Sequence, residues 1–115
     1  MTWSRSIGID CVFYYGHAKP PIQGDVVIYL GGFPPFEADE TATKVEGRLG
    51  RFTVKWQKKI LRDKSIIQEA VIPLDSYWKA HVVVKADRET DAGKLINEIS
   101  GLPTFTQAPK PVGVP

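Results

Sequence analysis

Between Arg51 and Ile60 the chain alternates with a period of two. The even positions read Phe52, Val54, Trp56, Lys58 and Ile60, and the odd ones Arg51, Thr53, Lys55, Gln57 and Lys59. Successive side chains of a strand point to opposite faces, so this pattern describes a strand with one mainly apolar face and one basic face. Such a strand needs a sheet around it and a cover over its apolar side. The residues that follow supply the sheet. Arg62-Asp63-Lys64-Ser65 turns the chain, and Ile66–Leu74 then places Ala70, Ile72 and Leu74 on one face and Ile67, Glu69 and Val71 on the other. Pro73 closes that strand because it has no amide to donate. After Asp75-Ser76, the run 77–87 points Trp78, Ala80, Val82, Val84 and Ala86 inward, and Tyr77, Lys79, His81, Val83 and Lys85 outward. Three strands with short connections form an antiparallel meander over 51–87.

A cover for the apolar face comes next in the chain. Ala92, Leu95, Ile96 and Ile99 form one stripe at helical spacing, with Glu89 and Asp91 at the positive end and Gly101 and Pro103 as stop signals. The spacing predicts a helix over about 89–100. Upstream, Trp3–Tyr15 carries apolar residues at odd positions and reads as one half-buried strand. Gly16–Gly24, with Pro20-Pro21, reads as a loop, and Asp25–Leu30 as a compact strand. Phe33–Gly50 is ambiguous. Pro34-Pro35 followed by Glu37, Asp39 and Glu40 suggests a short helix over 36–46, although Thr41, Thr43 and Val45 also fit a strand. The expected architecture is therefore α+β: an antiparallel sheet of four to five strands with the C-terminal helix packed on one face. Residues 1–103 form a single domain by this reading, and 104–115 a Pro-rich tail for which polyproline-like extension is the default.

Composition narrows the chemistry. The 115 residues are 43% hydrophobic and 24% charged, the balance of an ordinary globule. Cys11 is the single cysteine, so neither an internal disulfide nor a cysteine-rich zinc site can form. With only His17 and His81 available, no metal or other cofactor is expected. Apolar runs such as 26–30 and 82–84 fall far short of the roughly 20 residues a membrane span needs. No secretory leader is visible at the start, and a cytoplasmic protein without membrane association is the expectation.

The formal charge of +2 conceals an asymmetry. From Lys44 to Lys64 there are eight bases against two acids, whereas the remainder holds seven bases and eleven acids. A basic face carrying Arg51, Lys55 and Lys59 would suit nucleic-acid phosphates. Sheets that read single strands also present aromatic platforms, however, and here Phe52 and Trp56 alternate away from the lysines. The same outer face carries Ile67, Glu69, Val71, Tyr77, Lys79, His81 and Val83. Mixed apolar and charged surface of this kind matches a protein interface better than a solvated sheet. The N-terminal strand, the Pro34 loop or the tail folding over it would account for it equally well.

Two further constellations are weaker. Cys11 and His17 suggest a nucleophile and base, but Cys11 shares a face with Ile9 and Phe13, which argues for an inert buried thiol. Asp87, Glu89, Asp91 and Glu98 match the spacing of calcium-loop ligands, yet the turn glycine is displaced to Gly93 and a helix runs through the segment. His81 reads as an ordinary exposed histidine, and Pro109-Lys110-Pro111 resembles a polyproline ligand only loosely. The leading expectation is a small non-enzymatic module that binds another protein or its own copy. The alternatives are nucleic-acid binding through Arg51, Lys55 and Lys59, and a small enzyme with a pocket near Cys11 and His17.

Overall fold

The computed structural model describes residues 1–107. Seven strands form one sheet: β1 Thr2–Gly8, β2 Cys11–His17, β3 Gly24–Gly31, β4 Thr43–Leu49, β5 Phe52–Ile60, β6 Ile66–Pro73 and β7 Lys79–Ala86. They are followed by helix α1, Glu89–Ser100, and the short helix α2, Pro103–Thr106. The spatial order is β1-β2-β3-β7-β6-β5-β4 and all neighbours are antiparallel. The α+β class, the 51–87 meander and the helix agree with the expectation; the sheet has seven strands rather than four or five.

The two additional strands have different origins. The stretch read as one strand, Trp3–Tyr15, is a hairpin that reverses at Ile9-Asp10, where Asp10 adopts a left-handed φ of 57°. Asp is among the few non-glycine residues that tolerate that conformation. A two-residue turn pairs odd positions with even ones, so Ile7 lies opposite Val12 and Trp3 opposite Gly16. Trp3 and Ile7 thus share the helix-side face, while Cys11, Phe13 and Tyr15 take the other. The second addition is β4, which corrects the short helix expected over 36–46 in favour of the strand that Thr43 and Val45 also fit. The structure has no helix there: β4 begins at Thr43, and residues 32–42 form neither helix nor strand. The chain leaving β3 must pass β7, β6 and β5 to reach β4's place, about 19 Å at strand spacing. The eleven residues 32–42 cover that distance with slack at roughly 3.3 Å per residue of extended chain. Residues 32–42 therefore form a strap, and Pro34-Pro35 suits extended backbone.

Parity in the meander is as read. Val54, Trp56, Val82 and Val84 face the core and are at most 3% exposed, and Phe52 is half-buried at its margin. Trp78 is a correction: it precedes β7 and is 39% exposed. The Asp75 carboxylate accepts the amides of Tyr77 and Trp78, at 2.8 and 2.6 Å, and so captures both residues in the β6–β7 turn. These bonds also hold the Asp75 carboxyl below its ordinary pKa.

Helix α1 buries Ala92, Leu95 and Ile99 against the inner face, and each fully buried Leu or Ile side chain contributes about 1.5–3 kcal/mol. The chain then turns back into α2, whose Phe105 is fully buried. Phe105 lies within the stretch assigned to the tail by sequence. Its carbonyl accepts the Arg51 amide at 3.0 Å, which ties the C-terminal segment to the β4–β5 turn. Gly50 stands in that turn with φ +59°, and a Cβ there would lie 2.3 Å from the Phe105 carbonyl oxygen. The Pro109-Lys110-Pro111 motif lies outside the described residues.

Candidate functional site

The outer face of the sheet, opposite α1, carries most of the residues nominated by sequence, and the strap crosses it. Phe33 N–H donates to the Tyr29 hydroxyl on β3 at 3.1 Å. Phe36 then packs edge-on against His81 on β7. His81 Nε2 lies 3.0 Å from Glu69 Oε2 on β6, and the other Glu69 oxygen accepts from Gln57 Nε2 on β5 at 3.2 Å. Gln57 also binds strap backbone, donating to the Glu37 carbonyl and accepting from the Asp39 amide at 2.7 Å. Finally Asp39 pairs with Lys59 at 2.5 Å. This hydrogen bond, with further ones from Thr41, holds the Asp39 carboxyl far below the usual range, and Asp39 in turn raises the Lys59 ammonium.

The nominated residues are thereby divided. His81, expected to be exposed, is 5% exposed beneath Phe36. Alternation assigned its face correctly; the strap decided its environment. Glu69 and Lys59 are engaged in the same network, and Ile67, Val71, Lys79 and Val83 are half-buried. Arg51, Lys55 and Tyr77 are exposed. Of the other bases, Lys58 pairs with Glu89 and Lys44 donates to the Asp39 carbonyl and Gln57 Oε1.

Cys11 and His17 occupy opposite ends of β2, roughly 20 Å apart at strand rise. Hence they cannot act as a nucleophile–base pair within one subunit. Cys11 is half-buried rather than enclosed, and lines a concavity of about 350 Å³ with Phe13, Tyr29, Phe33 and Tyr77. His17 pairs instead with Asp25 on β3. The acids with calcium-loop spacing lie on or just before α1, where Glu98 binds the Met1 amino group at 3.2 Å and Asp91 accepts from Arg88 at 3.1 Å.

Sequence reading missed the most exposed element, β1. Every one of its seven residues is exposed, and it forms one edge of the sheet. Trp3 is 36% and Ile7 68% exposed, on the side where an apolar concavity of about 340 Å³ is bounded by Trp3, Tyr14, Ile28 and Leu102. The backbone polarity of this edge follows from the register. Ala18 N–H donates to the Gly24 carbonyl, extending the β2–β3 ladder, so even-numbered residues of β2 bond toward β3 and odd ones toward β1. Since odd β2 residues pair with even β1 residues, the backbone N–H and C=O groups of Trp3, Arg5 and Ile7 point out of the sheet. The opposite edge, β4, carries three charged residues, Lys44, Glu46 and Arg48, against Arg5 alone on β1, and such charges discourage strand addition. The signal for β1 was the Ile9-Asp10 reversal, which a continuous odd-residue pattern had obscured.

Comparison with protein-family models, with curated proteins and with solved structures finds no match for this chain. Among the described residues, no helix is long and apolar enough to cross a membrane.

Proposed function

We propose that this chain is a protein-binding, self-associating module that works by strand addition at the β1 edge. The observation that carries this reading is the row of outward backbone donors and acceptors at Trp3, Arg5 and Ile7, on a strand exposed throughout. An incoming strand satisfies these groups, and its side chains meet Trp3 and Ile7 on one face of the sheet. The interface expected on the outer face is partly occupied by the strap, which takes up His81, Glu69 and Lys59. The occupied outer face supports a contact at the edge instead, remote from the exposed Arg51 and Lys55.

Amide hydrogen exchange followed across a protein-concentration series tests the reading. The Trp3, Arg5 and Ile7 amides are expected to slow as concentration rises, while exposed amides of the 32–42 strap do not. Concentration-independent rapid exchange at all three β1 amides would remove the proposal.

A further inference from the structure

We infer that the strand added to β1 is β1 of a second copy, antiparallel, about a two-fold axis passing beside Ser4. This inference rests on the strand-addition reading above and specifies its partner and register. Because the outward groups belong to odd residues, a hydrogen-bonded β1–β1 ladder pairs odd residues with odd ones. Only registers whose paired residue numbers have an even sum satisfy this condition. A sum of six sets Trp3 against its own copy and leaves Ile7 beyond the ladder. A sum of ten sets Arg5 against Arg5, and like charges directly opposite one another are destabilising.

A sum of eight avoids the self-pairing of both Trp3 and Arg5. It places Trp3 opposite Arg5 of the second copy, and by symmetry Arg5 opposite the second Trp3. The guanidinium then lies beside an indole face twice per dimer, a favourable cation–π geometry. Ile7, 68% exposed in the single chain, lies at the end of this ladder next to Met1 of the second copy, whose amino group stays with its own Glu98. On the other face Ser4 meets Ser4 and Thr2 meets Ser6, pairs of hydroxyls that can hydrogen-bond across strands. Residues Thr2–Ser6 of β1 thus each find a compatible partner within the same five residues of the second copy. An isologous contact of this kind closes on itself, joining two seven-stranded sheets into one without leaving another β1 edge open.

Ser4 is opposite itself in this register at a non-hydrogen-bonded position, where Cα atoms approach to about 4.5 Å, within disulfide range. The test uses the whole chain with Cys11→Ser, to which Ser4→Cys or Ser6→Cys is added. Mild oxidation should convert Ser4→Cys to a covalent dimer at least tenfold faster than Ser6→Cys. In parallel, light scattering should show a mass that rises with concentration to twice the monomer's. Arg5→Pro, which removes a ladder donor, should abolish that rise. Arg5→Glu leaves the backbone intact and should weaken dimerisation at least tenfold, with circular dichroism of both variants confirming the fold. Faster cross-linking of Ser6→Cys overturns the register while leaving edge pairing in place. A dimer that survives Arg5→Pro overturns edge pairing itself, and a monomer at every concentration overturns both.

Discussion

The ring of Phe36 meets the His81 imidazole edge-on, with centroids 5.5 Å apart and an interplanar angle of 83°. One residue belongs to the strap and the other to the middle of β7, so this contact fastens the β3–β4 crossover to the centre of the sheet. Phe36→Ala should lower stability by about 1–2 kcal/mol, combining lost apolar burial with the lost aromatic contact. Denaturant melts give the magnitude. An imidazole shift of His81 toward solvent-exposed values in NMR spectra would verify that the strap has lifted; an unchanged shift would contradict it.

The Asp39–Lys59 pair sets a pH window for the same strap. The Asp39 carboxyl titrates lower in the folded chain than in the unfolded one, so its contribution is present above the unfolded value of about 3.9 and is lost as pH falls below it. The Lys59 ammonium titrates higher when folded, so its contribution is present below about 10.4 and is lost as pH rises further. Asp39→Asn should therefore be less stable than the parent at pH 7, and the gap should close as pH is lowered toward 2. Melts of both proteins from pH 2 to 7 check the sign, and a gap constant across that range would disprove it.

Phe105 anchors the C-terminal segment. Its side chain is fully buried, and Phe105→Ala should cost about 3–5 kcal/mol. Its exposed neighbour provides the control: Thr106→Ala should remain within roughly 1 kcal/mol of the parent, since among the described residues its hydroxyl bonds only the Leu102 carbonyl, at 3.2 Å. Equal effects at the two positions would contradict the packing described.

Gly50 tests the other half of that anchor. Its φ of +59° costs an L side chain about 1–2 kcal/mol, and the close Phe105 carbonyl adds steric conflict. Gly50→Ala should accordingly destabilise by at least 2 kcal/mol. Gly93→Ala offers a contrast in α1, where a Cβ meets nothing among the described residues within 4 Å, and should stabilise by about 0.5–1 kcal/mol through helix propensity. Thermal melts of both variants should move in opposite directions.

The meander and α1 were legible in sequence because their information is local. In β5 and β7 the alternation alone assigns Val54, Trp56, Val82 and Val84 to the core, and the stripe of Ala92, Leu95 and Ile99 needs only helical geometry. The Ile9-Asp10 reversal is also local, but it is masked because odd-numbered apolar residues continue through it. Trp78 was misplaced for a related reason: the Asp75 carboxylate captures its amide and ends the alternation one residue before β7 begins.

The strap, and with it the environment of His81, belongs to tertiary structure. Nothing in the residues 33–42 announces that they lie over Glu69 and Gln57; that follows from β4 taking a place beyond β5. Edge status is likewise a property of strand order. Local pattern determines which way a side chain points along a strand, because the pleat is set by each residue and its two neighbours. What lies above that side chain, and which strand is left without a neighbour, depends on pairing between residues distant in the chain. Covering His81 and leaving Trp3, Arg5 and Ile7 with outward backbone groups were therefore decided by the assembled sheet.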